Sequence, residues 1–326
     1  MLRLSRLIVG VLCIIVLIIS PFISKNYNAP LGQEKNYQTV LTVWQIDSFS
    51  GGTGNRASFL RDVANQYTKK NTGVLMLVSK HTVQSLTTSI TKGEYPDIIS
   101  IGPSGIDFSS LQRQMASVDV EGDGVINKKR YFTSWAKGGY FLISRQNVKA
   151  DKTFIVEGEY NSGVIALLLS DKKVENPVIV NAEDGLNGFI FDGKSSLIAT
   201  QREIVRLRNK GVEFTAQALD GYSDLYEYAL ITSQDHIKYL YAKDFCEYLI
   251  SSEVQSKLTE LLLFPTNYTN LYTADDVYSS LENKKIKYTI SPFSKKEDIN
   301  KIKEVAKDVL LDKETLDSLI KLLKHL

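Results

Sequence analysis

The chain has 326 residues, 43% of them hydrophobic, which is enough for two domains with cores of their own and would make one unusually large compact unit. Its 39 basic and 37 acidic residues give a formal charge of +2, with no excess to hold a polyanion by counterion release, and nucleic acid is excluded as a partner. One cysteine, Cys13, lies inside the first apolar run and the other, Cys246, in a predicted helix, so no disulfide is expected; His81, His236 and His325 lack carboxylates or thiols at ligand spacing, so neither metal nor cofactor is expected.

Arg3 and Arg6 stand before an uninterrupted apolar run from Leu7 to Ile19, and polar sequence resumes at Lys25. Such a positive flank keeps the N-terminus in the cytoplasm and sends the rest of the chain outside. Cys13 comes after Leu12 amid the run, a poor lipidation site, and Pro21 and Phe22 spoil the positions that a signal peptidase reads. Residues 1–24 therefore read as a signal anchor at the extracellular face of the cell membrane, or as a secretion signal if cleaved, with Leu7 to Ile23 at the short end of a membrane span. Residues 25–38, polar and broken by Pro30 and Gly32, read as a linker.

The folded part opens with a strand, Leu41 to Asp47, in which Leu41, Val43 and Ile46 oppose Thr42 and Gln45, and it gives way to a Ser/Gly loop from Ser48 to Gly54. Arg56 to Lys70 places Phe59, Leu60, Val63, Ala64 and Tyr67 on one helical face, stopped by Asn71-Thr-Gly73. Val74 to Val78 reads as a fully apolar strand of the parallel-sheet kind, Val83 to Lys92 as a helix, and Ile98 to Ile101 as a further buried strand. This alternation predicts a doubly wound α/β arrangement with ligands at the C-terminal strand ends, here residues 47–49 and 100–104. Asp119 to Gly124 imitates the start of a calcium loop, but Arg130 stands at the twelfth position, so an acidic turn is expected. Gly139 to Ser144 reads as a strand, and Ala242 to Pro265 as an amphipathic helix ended by Leu-Phe-Pro, with a capping box of Ser252 and Gln255. Lys295 to Leu326 carries two amphipathic stripes: Ile299, Ile302, Val305, Ala306 and Val309, then Leu316, Leu319, Ile320 and Leu323.

In this order the segments resemble the extracellular solute-binding proteins of bacterial ABC importers, in particular the large sugar-binding type. TVWQID, a helix ending QYTKKNTGV and KGEYPDIISIG are similar to the first lobe of that family. Ala116 to Arg145 resembles the turn and crossing segment into the second lobe, Phe191-Asp-Gly-Lys194 with SSLIATQREIVRL a helix–strand junction there, and Ile237 to Pro265 the helix pair returning to the first. The resemblance covers roughly residues 41–145 and 190–272. It implies a two-lobe α/β fold of the type II periplasmic-binding-protein kind, with lobes joined by crossing hinge strands: residues 39–142 plus 222–270 as the first lobe, and 143–221 plus 271–326 as a shortened second. Thr200-Gln-Arg-Glu203 stands where sugar-binding members often carry an aromatic residue.

That placement selects the candidate ligand-binding residues. Trp44, Gln45, Asp47 and Ser48 end the first strand, and Asp97 comes after Pro96, where it can meet a ligand or its own turn. Trp135 and Tyr140 flank Lys137-Gly-Gly139 before the hinge; Tyr222, Tyr226 and Tyr228 stand near the return, with one of them, Tyr222 for choice, reaching the cleft. Arg202, in place of an aromatic, offers a guanidinium for a carboxylate or phosphate. No Gly-x-Ser-x-Gly elbow or converging acid and base is visible, so catalysis is not expected. The resemblance implies a monomer that captures a small polar ligand, sugar or sugar-phosphate-like, for an ABC permease in the membrane; the alternative is a binding-fold scaffold or sensory partner without a ligand.

Overall fold

The computed structural model describes residues 37–49, 51–106, 125–126, 129–267, 270–282 and 284–324. The apolar run Leu7 to Ile23, most of the linker and the acidic turn Asp119 to Gly124 lie outside them, and among the described residues no helix is long and apolar enough to cross a membrane. The chain divides into two compact units, Met1–Gln38 and Thr39–Leu326, and the strands and helices of the described residues belong to the second.

Strand β1 (Thr39–Ile46) pairs in parallel with β2 (Val74–His81) on one side and β3 (Ile98–Ile101) on the other. Helix α1 (Arg56–Lys70) connects the first pair and buries the face read from its periodicity, Phe59, Leu60, Val63, Ala64 and Tyr67, each such side chain contributing roughly 1.5–3 kcal/mol where it is a large apolar one. Asn55 caps it, accepting from Ser58 N at 3.1 Å. Helix α2 (Val83–Lys92) starts on a reciprocal Thr82–Ser85 box and stops at Gly93, whose φ of 73° is a left-handed cap. Val74 to Val78, read as an apolar strand of the parallel-sheet kind, does pair in parallel, but among the described residues β2 is the edge of its sheet and Leu77 is 51% exposed, so the strand is not buried on both faces.

A short ladder of β4 (Val125–Ile126) and β5 (Lys129–Arg130) precedes β6 (Phe132–Lys137). Then β7 (Tyr140–Ser144), β8 (Lys152–Val156), α3 (Gly163–Leu168), β9 (Pro177–Val180), α4 (Ala182–Phe191), β10 (Ser195–Thr200), α5 (Gln201–Asn209) and β11 (Thr215–Leu219) build a second sheet and its helices. The chain returns through β12 (Tyr222–Ser223) to β13 (Tyr226–Ile231). The two main sheets, each of five strands, run β2-β1-β3-β13-β6 and β11-β7-β10-β8-β9. Both are mixed: β13 is antiparallel to β3 and β6, and β7 is antiparallel to β10 and β11.

Helix α6 (His236–Leu249) and helix α7 (Ser252–Gln255) lie on the first sheet's side, before a 3-10 turn at Leu258–Leu261. The expected continuous helix to Pro265 therefore breaks at Ile250. The expected box of Ser252 and Gln255 is also corrected, since Ser251 is the N-cap and makes no side-chain cap bond. Gln255 turns inward instead: Nε2 donates to Trp135 O at 2.7 Å and Leu249 O at 2.8 Å, and Oε1 accepts from Thr266 N at 3.0 Å. Satisfying buried backbone groups outweighs one solvent-side cap.

Helix α8 (Asp276–Glu282) packs on β11, and β14 (Tyr288–Thr289) pairs with β12. Helices α9 (Lys296–Leu310) and α10 (Leu316–Lys324) pack on each other, and α9 on α3, with Ile299, Ile302, Ala306, Leu319 and Leu323 buried.

Candidate functional site

The connections between the sheets place the site. Strand β6 ends at Lys137, Gly138 and Gly139 make the crossing, and β7 begins at Tyr140 opposite Thr200, the last residue of β10. The C-terminal ends of β1 and β3 thus meet the C-terminal ends of β10 and β8 across the Gly-Gly step. A Cβ at Gly139 would run into the Leu281 side chain, which would have to move to admit any larger residue. Gln201 secures the same point, accepting from Gly139 N at 3.1 Å and donating to Leu262 O at 3.2 Å.

A cleft of about 470 Å³ opens at this junction. Asp47, Ser48, Phe49 and Arg56, with the turn 51–54 between them, form one wall; Arg202, at the start of α5, reaches it from the other sheet. The loop after β1 can bend there because Gly52 and Gly54 adopt φ of 71° and 79°. Thr53 N donates to Leu261 O at 2.7 Å and holds it down.

Arg56 is the anchor of that wall. Its Nη2 donates to Gly51 O at 2.6 Å, and its guanidinium lies 4.2 Å over the Phe49 ring. It also stands 3.5 Å from Asp47 and 3.6 Å from Glu227. Lys80 pairs with Asp47 at 2.6 Å. Burial would raise the Asp47 carboxyl, but the hydrogen bond from Lys80 and the charge of Arg56 hold it below the ordinary carboxylate range. Behind the wall, Glu227 is completely buried and accepts from Gln45 Nε2 at 2.8 Å and Ser100 Oγ at 3.3 Å. Burial pushes Glu227 up to about 7, with Arg56 and Gln45 opposing the rise.

On the other wall, Thr200 and Glu203 form a reciprocal cap on α5, which fixes the backbone beneath Arg202. The Arg202 side chain is exposed and, among the described residues, no ion pair engages it. Ser48 is only 7% exposed, and its Oγ has no hydrogen-bond partner among the described residues.

The structure brings Asp47, Ser48 and Arg202 together and places the other candidates elsewhere. Trp44 stacks on His81 at 4.0 Å, away from the cleft lining, and Gln45 is buried beneath Asp47. Asp97 lies at the opposite end of β3, where it accepts from Thr42 N at 2.9 Å and pairs with Lys238 at 3.0 Å. Trp135, Tyr140 and Tyr222 are completely buried. Trp135 stacks on Phe59 at 5.8 Å, while the Tyr140 and Tyr222 hydroxyls donate to Asp224 at 2.7 and 3.0 Å. Tyr226 and Tyr228 are also buried, stacked on each other.

Sequence reasoning reached Phe49 only as part of a strand end, and it missed Arg56, Glu227 and Asp224. A signal existed for the last two, since the run DLYEYALI sets acids among residues of a strand apolar on both faces, which demands internal partners.

No protein-family model and no curated protein matches the sequence. Solved structures do share the fold. The GacH receptor of Streptomyces glaucescens, determined unliganded and with acarbose, is 15% identical and superposes with a TM-score of 0.56 over 88% of this chain and 99% of that one. An ABC transporter solute-binding protein of Thermotoga lettingae bound with alpha-D-tagatose, also 15% identical, matches at 0.56 over 88% and 98%. The maltose-binding periplasmic protein of Listeria monocytogenes in complex with maltose, 10% identical, matches at 0.58 over 88% and 97%. At such identities the likeness is one of fold: this chain has the two-lobed α/β architecture of type II periplasmic binding proteins, with strands crossing between the lobes.

Proposed function

We propose that the chain is an extracellular, membrane-tethered solute-binding protein that captures a small polar ligand, a sugar or sugar phosphate, and delivers it as a monomer to an ABC permease. The observation that carries this reading is a polar cleft whose walls come from the two sheets and meet at a Gly-Gly crossing. A ligand touching Asp47 or Ser48 and Arg202 at once makes its full set of contacts only when the walls approach, so it favours the closed state by differential affinity. The sugar-binding proteins that share the fold support this class of ligand. The chain works by binding and performs no catalysis.

The complete burial of Trp135, Tyr140 and Tyr222 favours a second reading, an anchored scaffold or sensory partner, because these rings are not available to stack on a sugar. A thermal-shift screen of the purified chain against sugars, sugar phosphates, polyols and small peptides separates the two. A ligand at a hundredfold its Kd adds about 2.7 kcal/mol and raises the melting temperature. A flat response across the library from well-folded protein would favour the scaffold.

A further inference from the structure

The cleft beside the ends of β1 and β10 is open, but one strand over in each sheet, at β3 and β8, the gap is spanned by the chain itself. The segment that does so leads from β14, paired with β12 on the return crossing, into α9. Ser291-Pro-Phe-Ser294 makes it a tight turn: Ser294 N donates to Ser291 O at 3.0 Å, and the Ser291 hydroxyl accepts from Phe293 N at 3.2 Å. Proline at the second turn position fixes that backbone in advance.

The turn is pressed against the first sheet. Phe293 meets the Phe132 ring of β6 edge-on at 4.8 Å and Tyr131 at 6.2 Å. Lys296 N donates to Gly105 O, in the loop after β3, at 3.1 Å. Gly105 permits the approach: its φ is 67°, and a Cβ there would stand 2.8 Å from Lys296 Cα, part of the backbone. The same lysine also holds the second sheet. Its Nζ pairs with Glu159, in the loop after β8, at 2.9 Å, and α9 packs on α3. About two helical turns on, Lys303 enters that loop, pairing with Glu157 at 3.2 Å and donating to Asn161 O at 3.3 Å. A helix seated on the second sheet thus reaches the first through its opening residues, at the strand ends where an α/β cleft takes its ligand. The Gly-Gly step and the return at β12 already carry the chain between the sheets, so these contacts add a separate tie at the cleft edge.

We propose that Phe293 and Lys296 form a clasp that holds the two sheets in their closed arrangement without a ligand. This goes beyond the solute-binding reading and needs no solute to operate. Opening must break the Gly105–Lys296 hydrogen bond and the Phe293 contacts, while Lys303 keeps α9 on its own side. A solute that requires approached walls then meets them already in place and loses little affinity to an open population.

The test is the separation of the sheets in the full chain without ligand, measured by double electron–electron resonance between spin labels. Asp62→Cys in α1 and Lys210→Cys at the end of α5 are exposed labelling sites; Cys13→Ser removes one native thiol, and the other, Cys246, is completely buried. The labelled chain with its clasp intact should show one separation, with any longer one at most about a tenth of the molecules. Phe293→Ala combined with Lys296→Ala should raise the ratio of longer to shorter separation about tenfold or more. Gly105→Val, which drives a side chain against the Lys296 backbone, should do the same from the facing side. A large longer population with the clasp intact would overturn the proposal, because the sheets would then open in spite of it. An unchanged separation in the clasp variants would overturn it as well, and a lower melting temperature with unchanged separation would make these contacts ordinary packing. Lys296 is exposed and Phe293 half-buried, so the alanine pair decides the matter if Gly105→Val fails to fold.

Discussion

Two buried carboxylates stand three residues apart in sequence and are satisfied in opposite ways. Asp224, on the return crossing, is met by neutral donors: Tyr140 OH at 2.7 Å, Tyr222 OH at 3.0 Å and Ser162 N at 2.8 Å. Glu227, in β13, is met by Gln45, Ser100 and the guanidinium of Arg56. The first cluster joins the crossing to β7 and to the cap of α3, so it locks the junction between the sheets. The second leads through Arg56 to the cleft loop, so it sets the shape of a binding wall. One carboxylate is built for rigidity and the other for coupling the core to the site.

The sharpest way to break the comparison is Asp224→Ala. It leaves two phenol hydroxyls and an amide without their acceptor in the buried interior, at about 1–3 kcal/mol each. We expect a loss of about 3 kcal/mol or more in urea unfolding, and less than half of that for Asp224→Asn, which keeps a carbonyl acceptor.

Glu227→Gln sharpens it through pH. Burial raises both carboxyls, Glu227 to about 7 and Asp224 to about 6. A carboxyl that is raised in the folded state contributes its stability below its unfolded value and loses it as pH climbs through the folded one. Stability of the wild type should therefore fall between about pH 4 and pH 7, by on the order of 2–3 kcal/mol for Glu227 alone. Glu227→Gln should flatten the upper part of that fall, most clearly near pH 7, above the midpoint of Asp224. Denaturation midpoints measured across the range check it; an unchanged slope in the variant would remove Glu227 as its source.

A third variant tests the loop beside the second wall. Lys303 in α9 pairs with Glu157 at 3.2 Å and donates to Gly158 O, and to Glu159 O and Asn161 O at 3.3 Å each. Lys303→Met removes the one ammonium on which these acceptors converge. It should cost about 2 kcal/mol and speed amide exchange in residues 157–162.

What the sequence made legible divides along the same line. The alternation of β1, the 3.6-residue stripe of α1 and the span Val83 to Lys92 of α2 are local patterns, and the elements appear where those patterns put them. The strand-end rule likewise placed Asp47 and Ser48 at a cleft. Illegible were facts of tertiary pairing. Val74 to Val78 is as apolar as a central strand but lies at an edge, and Gln255 has the spacing of a cap but serves Trp135 from inside. Trp135, Tyr140 and Tyr222 look like ligand-stacking rings by composition; what makes them core is Phe59 against the first and Asp224 between the other two. Partners remote in sequence leave no local pattern to read.

Asp97 gives the smallest and most discriminating test. At the start of β3 it accepts from Thr42 N at 2.9 Å and Thr42 Oγ1 at 3.0 Å, and it pairs with Lys238 from α6. These bonds fasten β1 to β3 and α6 at the end of the sheet away from the cleft. Asp97→Ala should cost about 1 kcal/mol, because Thr42 N loses its acceptor at a partly exposed position that water can reach, and the Lys238 head can turn to water. Ligand affinity should not move. Arg202→Gln, on the cleft lining, should weaken it. The two variants together separate a carboxylate that holds the first sheet from a cation that lines the cleft, and a loss of binding in Asp97→Ala would show that the ends of β3 are coupled more tightly than their hydrogen bonds imply.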